Sequence, residues 1–196
     1  MMHKLLKRPQ AIIGLCLIAI VIVIAIAAPA FSPHDPELVN LSQKYAQPDA
    51  EYPLGTDQLG RCTLSRLLYG ARYSIGISLP VLLILSVIGL IVGTFSACAG
   101  EKADHFITIL CDVFIAYVST GVASSIIMVS SFAFLGLGLP SGTPEWGAML
   151  NDARTALYSH PELLIYPGLC IFVTAAGFNL FGEALRDILT PEEDSL

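Results

Sequence analysis

Charge is scarce in this sequence. Only 13% of its residues are Asp, Glu, Lys or Arg, while 55% are hydrophobic; an ordinary globular protein carries about 25% charged residues. A soluble domain of 196 residues has too little interior to hide so much apolar surface, so the composition places the chain in a membrane. Basic residues are the scarcer charge, ten Lys and Arg against sixteen Asp and Glu. They form no stripe, which argues against nucleic-acid binding. The acids are scattered too, with one short cluster at Glu192, Glu193 and Asp194.

Cysteine occurs five times and never as a CxxC pair. Cys16, Cys98, Cys111 and Cys170 lie within or beside apolar runs, and Cys62 sits in a polar loop. They read as small hydrophobes rather than disulfide partners or metal ligands. His3, His34, His105 and His160 are single and far apart, without metal-ligand spacing. HExxH, GxSxG and Walker A patterns are all absent. An intramembrane aspartyl protease would need a second buried acid beside Asp112, and the sequence has none. The chain therefore reads as a non-enzyme with no cofactor of its own.

What is present is a series of long apolar runs. Ala11–Phe31 has no charge and includes eleven Ile, Leu or Val between Ile12 and Ile26. Its 21 residues, at about 1.5 Å each, cross a hydrocarbon core of roughly 30 Å. Lys4, Lys7 and Arg8 before it and Ala-Pro-Ala at 28–30 imitate a signal peptide. The run exceeds the usual apolar region of about 7–15 residues, and Pro29 sits in the middle of the would-be cleavage site, so a retained span is expected.

The second run, Ile75–Gly100, contains Pro80 and a ladder of Gly89, Gly93 and Ala97. That spacing puts small residues on one helix face, a candidate packing surface. The third, Phe106–Leu139, is 34 residues with one charge, Asp112. As one helix it would measure about 51 Å, too long for one span and too short for two. One span over 106–132 followed by an interfacial segment, Phe-Leu-Gly-Leu-Gly-Leu-Pro, is the expected solution. The fourth run is Leu163–Gly182, with Pro167 and Gly168 early and Asn179 near its end.

Four spans put both termini on one side. Lys and Arg divide five against five between the two sides. The first helix, with Lys4, Lys7 and Arg8 before it, therefore decides for a cytoplasmic N-terminus. The chain divides into 1–74 (first span, outer loop and interfacial helix) and 75–196 (membrane core and tail).

Between the first two spans lies LGTDQLGRCTLSRLLYGARYS, residues 54–74. Asp57 is placed to cap a helix starting near Gln58. Leu64, Leu67, Leu68 and Ala71 then form one apolar stripe, with Arg66, Tyr69, Arg72 and Tyr73 largely off it. That pattern predicts an amphipathic helix at the lipid–water interface. Arg61, Arg66, Arg72, Arg186 and the single tryptophan, Trp146, are its candidate anchors. Asp112 and Asn179 are the candidate polar residues inside the membrane. A carboxylate there costs about 2.5–3.5 kcal/mol unless it pairs, lines a path or reaches water at the span's end.

The same 54–74 segment strongly resembles the inner-membrane permease subunits of dipeptide, oligopeptide and nickel ABC importers. The resemblance returns in FLGLGLPSGTPEWGAMLNDAR (134–154), in PGLCIFVTAAGFNLFGEALRDILTP (167–191) and in SPHDPELVNL (32–41). Together these cover most of the chain in the family's order. Departures are minor at Cys62, Glu183 and Thr190, where the family usually carries acids. The middle departs further. The family has a fourth span, then a cytoplasmic loop with an EAA pattern that docks into the ATPase, then a fifth span. Here DVFIAYV (112–118), which looks like the third span, joins directly to STGVASSIIMVSSFAFLGLG, which looks like the fifth.

The resemblance thus implies an all-α polytopic membrane protein of about four helices, a shortened six-span permease. It implies a sister permease, ATP-binding subunits and a periplasmic substrate-binding protein as partners, with ATP bound by those subunits. The substrate class would be di- or oligopeptides, or nickel and its chelates. Without the coupling loop, the expectation includes defective transport. The alternative is an inactive remnant, or an accessory membrane protein that only binds sister permeases.

Overall fold

The computed structural model describes residues 8–97, 121–140 and 142–189. Its helices are α1 (Pro9–Phe31), α2 (Thr63–Ala97), α3 (Gly121–Phe134), α4 (Trp146–Ala153) and α5 (Glu162–Leu189). Among the described residues the only β pairing is an isolated bridge between Thr56 and Cys62. The class is all-α, as the apolar runs require.

α1 begins with Pro9 in its first turn, where a missing N–H costs nothing. Ala11, Gly14, Ile18, Val21 and Ala28 are its buried residues, one stripe at alternating three- and four-residue steps. The stripe packs on α5. Ile13, Ile20, Val23 and Ile26 face outward, which in a spanning helix is the lipid side. α1 and α5 are both long and apolar enough to cross a bilayer. Arg8, just before α1, pairs with Asp187 near the end of α5, so the two helices run antiparallel with the start of α1 beside the end of α5.

Their crossing is set by two glycines. A Cβ on Gly14 would stand 2.6 Å from the Phe181 nitrogen and 2.8 Å from the Gly177 oxygen, and one on Gly177 would stand 3.0 Å from the Leu17 Cβ. Backbone meets backbone there. Gly89, Gly93 and Ala97, the ladder singled out in the sequence, fall on the last turns of α2, and their surroundings lie outside the described residues. Asp112 lies outside them as well.

α2 is 35 residues long, about 52 Å, and runs unbroken through the junction at 74/75. It starts at Thr63, not near Gln58. The predicted cap residue, Asp57, instead ties a turn: its Oδ1 accepts from the amides of Leu59 (2.9 Å) and Arg61 (3.0 Å). Gly60, at φ +72°, lets the turn pass under the preceding loop, since a Cβ there would lie 1.8 Å from the Asn40 oxygen.

One core cluster joins four helices: Val21 of α1, Leu67 and Ala71 of α2, and Trp146 and Met149 of α4, with Tyr166, Cys170 and Ile171 of α5 packed against it. α3 adds Val122 and Ile126 against Ile171 and Phe178. At the end away from Arg8 and Asp187, residues 32–62 and 142–161 form a cap over the helices.

Candidate functional site: the charged cap

The cap is woven from backbone bonds between distant stretches. Asn40 donates to the Leu59 carbonyl (3.1 Å), Tyr45 to Asp57 (3.2 Å), Thr56 to Ala46 (3.2 Å) and Thr63 to Gly55 (3.1 Å). This weave delivers Arg61 and Arg66 inward, both at most 2% exposed. Arg61 Nε donates to Asp57 Oδ2 at 2.6 Å, and its Nη2 reaches Asp152 Oδ2 at 2.8 Å. Arg66 Nη2 shares the same Asp152 oxygen at 3.3 Å, its Nε lies 3.6 Å from Asp57, and its Nη1 donates to the Gly142 carbonyl at 2.9 Å. Two guanidinia face two carboxylates, so the cluster is neutral as a whole. Burial pulls Arg66 from the ordinary arginine value down to about 10, and the Arg61 charge adds to that. Asp57 and Asp152 oppose the shift.

A second lock sits about two helical turns further along α2, at Ser74. Glu145 caps α4 and is 1% exposed. Its Oε1 accepts from Gly147 N (2.9 Å) and Ser74 Oγ (3.1 Å), and its Oε2 from Ala148 N (2.8 Å). Ser74 Oγ in turn accepts from Trp146 N at 3.3 Å. Three donors and the positive end of a helix satisfy the buried charge. Trp146 lies on Gly70, where a Cβ would come within 2.4 Å of the indole, and its Nε1 donates to the Leu67 carbonyl at 3.1 Å.

The structure thus gives several predicted anchors a different place. Arg61, Arg66 and Trp146, expected among lipid headgroups, are interior residues of the cap. The reason is partners the periodicity of 54–74 could not reveal: Asp152 and Glu145 dock on the Arg66–Ser74 side of α2. The buried face of α2 therefore includes Arg66, Gly70, Ser74 and Ser78 together with Leu67 and Ala71, while Leu64 and Leu68 are half-buried. Arg72 is exposed on α2, and Asn179 and Arg186 are exposed on α5. Cys62, placed by sequence in a polar loop, is 1% exposed. Sequence reasoning missed Glu145 and Asp152. An acid directly before a short helix was the available signal for Glu145; nothing local marks Asp152.

Among the described residues, no three His, Cys, Asp or Glu side chains gather in a way that could hold a metal. The cap's chemistry is that of a fastener: it joins residues about ninety positions apart.

Residues 1–48 match the family model described as the N-terminal TM domain of oligopeptide transport permease C. Over 257 aligned positions the chain is 26% identical to the nickel transport system permease protein NikC of Escherichia coli (strain K12), covering 91% of this chain and 93% of that protein. Over nearly its whole length the chain is thus similar to permease components of nickel and peptide ABC importers. The chain is also 25% identical over 272 positions to the metal-staphylopine import system permease protein CntC of Staphylococcus aureus (strain NCTC 8325 / PS 47), covering 99% and 94%. A shorter stretch of 78 positions, 40% of the chain, is 45% identical to the glutathione transport system permease protein GsiD of Escherichia coli O1:K1 / APEC. The alignment to NikC runs over 257 positions while the chain has 196 residues. The difference leaves at least 61 positions with no counterpart, and they lie inside an alignment that spans nearly all of both chains.

Proposed function

We propose that the chain is the shortened membrane subunit of an importer in the bacterial inner membrane, taking up di- or oligopeptides or nickel and metal chelates. Relatives named for nickel, D,D-dipeptide, metal-staphylopine and glutathione transport support that substrate range. It works with a sister permease, ATP-binding subunits and a periplasmic binding protein. Both termini face the cytoplasm, and the cap faces the periplasm. Regions 1–74 and 75–196 act as one body, because the cap's ion pairs cross between them.

The observation that carries the mechanism is the internal absence of at least 61 aligned positions. In the resembled family, the block between the third and fifth spans holds the EAA loop that turns ATPase closure into helix movement. No EAA-like sequence occurs in the chain. Alone it therefore assembles with its partners but does not drive uptake. The test is substrate uptake in a strain whose only copy of this subunit is the 196-residue chain, with every partner present. Uptake at the level of a full deletion is expected, and uptake above it would show a coupling route independent of the loop.

A further inference from the structure

Beneath the Arg–Asp cluster lies a small cavity of about 10 Å³, bounded by Asp57, Gln58, Thr63, Arg66, Asp152 and Leu163 among others. Two of these residues carry a buried oxygen with no hydrogen-bond partner within the protein: Gln58 Oε1 and Thr63 Oγ1. Buried polar atoms without partners are rare, because each forfeits the hydrogen bonds it made in water. Both belong to the lining of one cavity beside the ion cluster, which calls for a shared ligand.

Charge and size restrict what that ligand is. Asp57 and Asp152 are already matched by Arg61 and Arg66, so the surroundings are neutral overall. A cation would meet the Arg66 guanidinium, and an anion would meet two carboxylates. The volume is about that needed for one water molecule. We infer that a single structural water bridges Gln58 and Thr63 to the carboxylates of the ion cluster. It donates one proton to Gln58 Oε1 and the other to a carboxylate oxygen of Asp57 or Asp152, and accepts from the Thr63 hydroxyl. Through Asp152 the water cements the turn at 57–63 to α4, beside the ion pairs that meet at the same carboxylate.

Cys62, beside Thr63 and 1% exposed, reports on this joint, because a maleimide reaches it only when the cap opens. In full-length protein in nanodiscs, with Cys62 as the sole cysteine, Thr63→Val and Gln58→Met are each expected to speed labelling about tenfold. The double variant should also show about tenfold, since either change releases the same water. Thr63→Ser, which keeps the hydroxyl, should label at the parent rate. A roughly hundredfold effect of the double variant, or no effect of either single one, would overturn the bridge. A structure showing the water oxygen within hydrogen-bond distance of Gln58 Oε1 and Thr63 Oγ1 would establish it directly. A Gln58 amide turned to donate straight to a carboxylate, with no water between, would refute it whatever the labelling rates.

Discussion

Removing one member of a buried ion cluster is strongly unfavourable, because the remaining charge loses its partner while staying out of water. Asp152 is such a member, with one oxygen accepting from both Arg61 and Arg66. Asp152→Asn is expected to destabilise the cap by about 3 kcal/mol, measured as a shift in detergent-solubilised unfolding. Arg72→Gln, on an exposed position, should stay within about 0.5 kcal/mol. The Arg66 shift sets the sign of its own contribution. Its folded value, about 10, lies below the ordinary arginine value, so the unfolded chain holds that proton more tightly. Its charge is a net cost at neutral pH, relieved only as pH rises through about 10 towards the ordinary arginine value. The carboxylates make this tolerable; without Asp152 the cost is larger.

Helices are the level at which the sequence was most legible. The uncharged runs at 11–31 and 163–182 became α1 and α5, because a spanning helix needs only local length and apolarity. The starts of elements and the facing of side chains were less so. The stripe Leu64, Leu67, Leu68 and Ala71 is genuine, yet the face that α2 buries includes Arg66 and Ser74, since their partners arrive from 71 to 86 residues away. Periodicity measures composition around a helix, and it cannot see a distant acid. The same limit applies to small residues: among the described residues Gly14 meets Gly177 across α1 and α5, and Gly147 meets the Ser130 backbone across α4 and α3, neither through a ladder of small residues. Gly14→Val should wedge α1 from α5, because its Cβ meets backbone atoms at 2.6–2.8 Å. A bismaleimide joining Arg8→Cys to Asp187→Cys should then lose most of its cross-linking yield. Gly93→Leu should leave that yield intact and instead reduce recovery of a sister permease in pull-downs. Unchanged cross-linking in Gly14→Val would mean that the helices are held together elsewhere.

For the described residues as a whole the decisive arrangement is polar: the start of α1 and the end of α5 at one pole, the cap at the other. Tyr158, 99% exposed in the cap, is a better probe of sidedness than Cys62, which the fold encloses. With Tyr158→Cys, a membrane-impermeant maleimide should label intact cells stripped of their outer membrane. Labelling that appears only after permeabilisation would reverse the proposed orientation.

The meeting of Gly14 with Gly177 also has a consequence in time. Those positions are 163 residues apart in the chain, and a ribosome adds roughly 5–20 residues each second. α1 therefore stands in the bilayer for about 8–30 s before its partner helix exists. Through that interval the notch at Gly14 faces lipid or a membrane chaperone, and the Arg8 cation has no Asp187. The last helix to be made completes the seat of the first, so the α1 packing cannot finish from the N-terminus outward: α2 can cover part of α1 earlier, but a chain stopped before α5 leaves the Gly14 face of α1 uncovered for quality-control proteases to recognise.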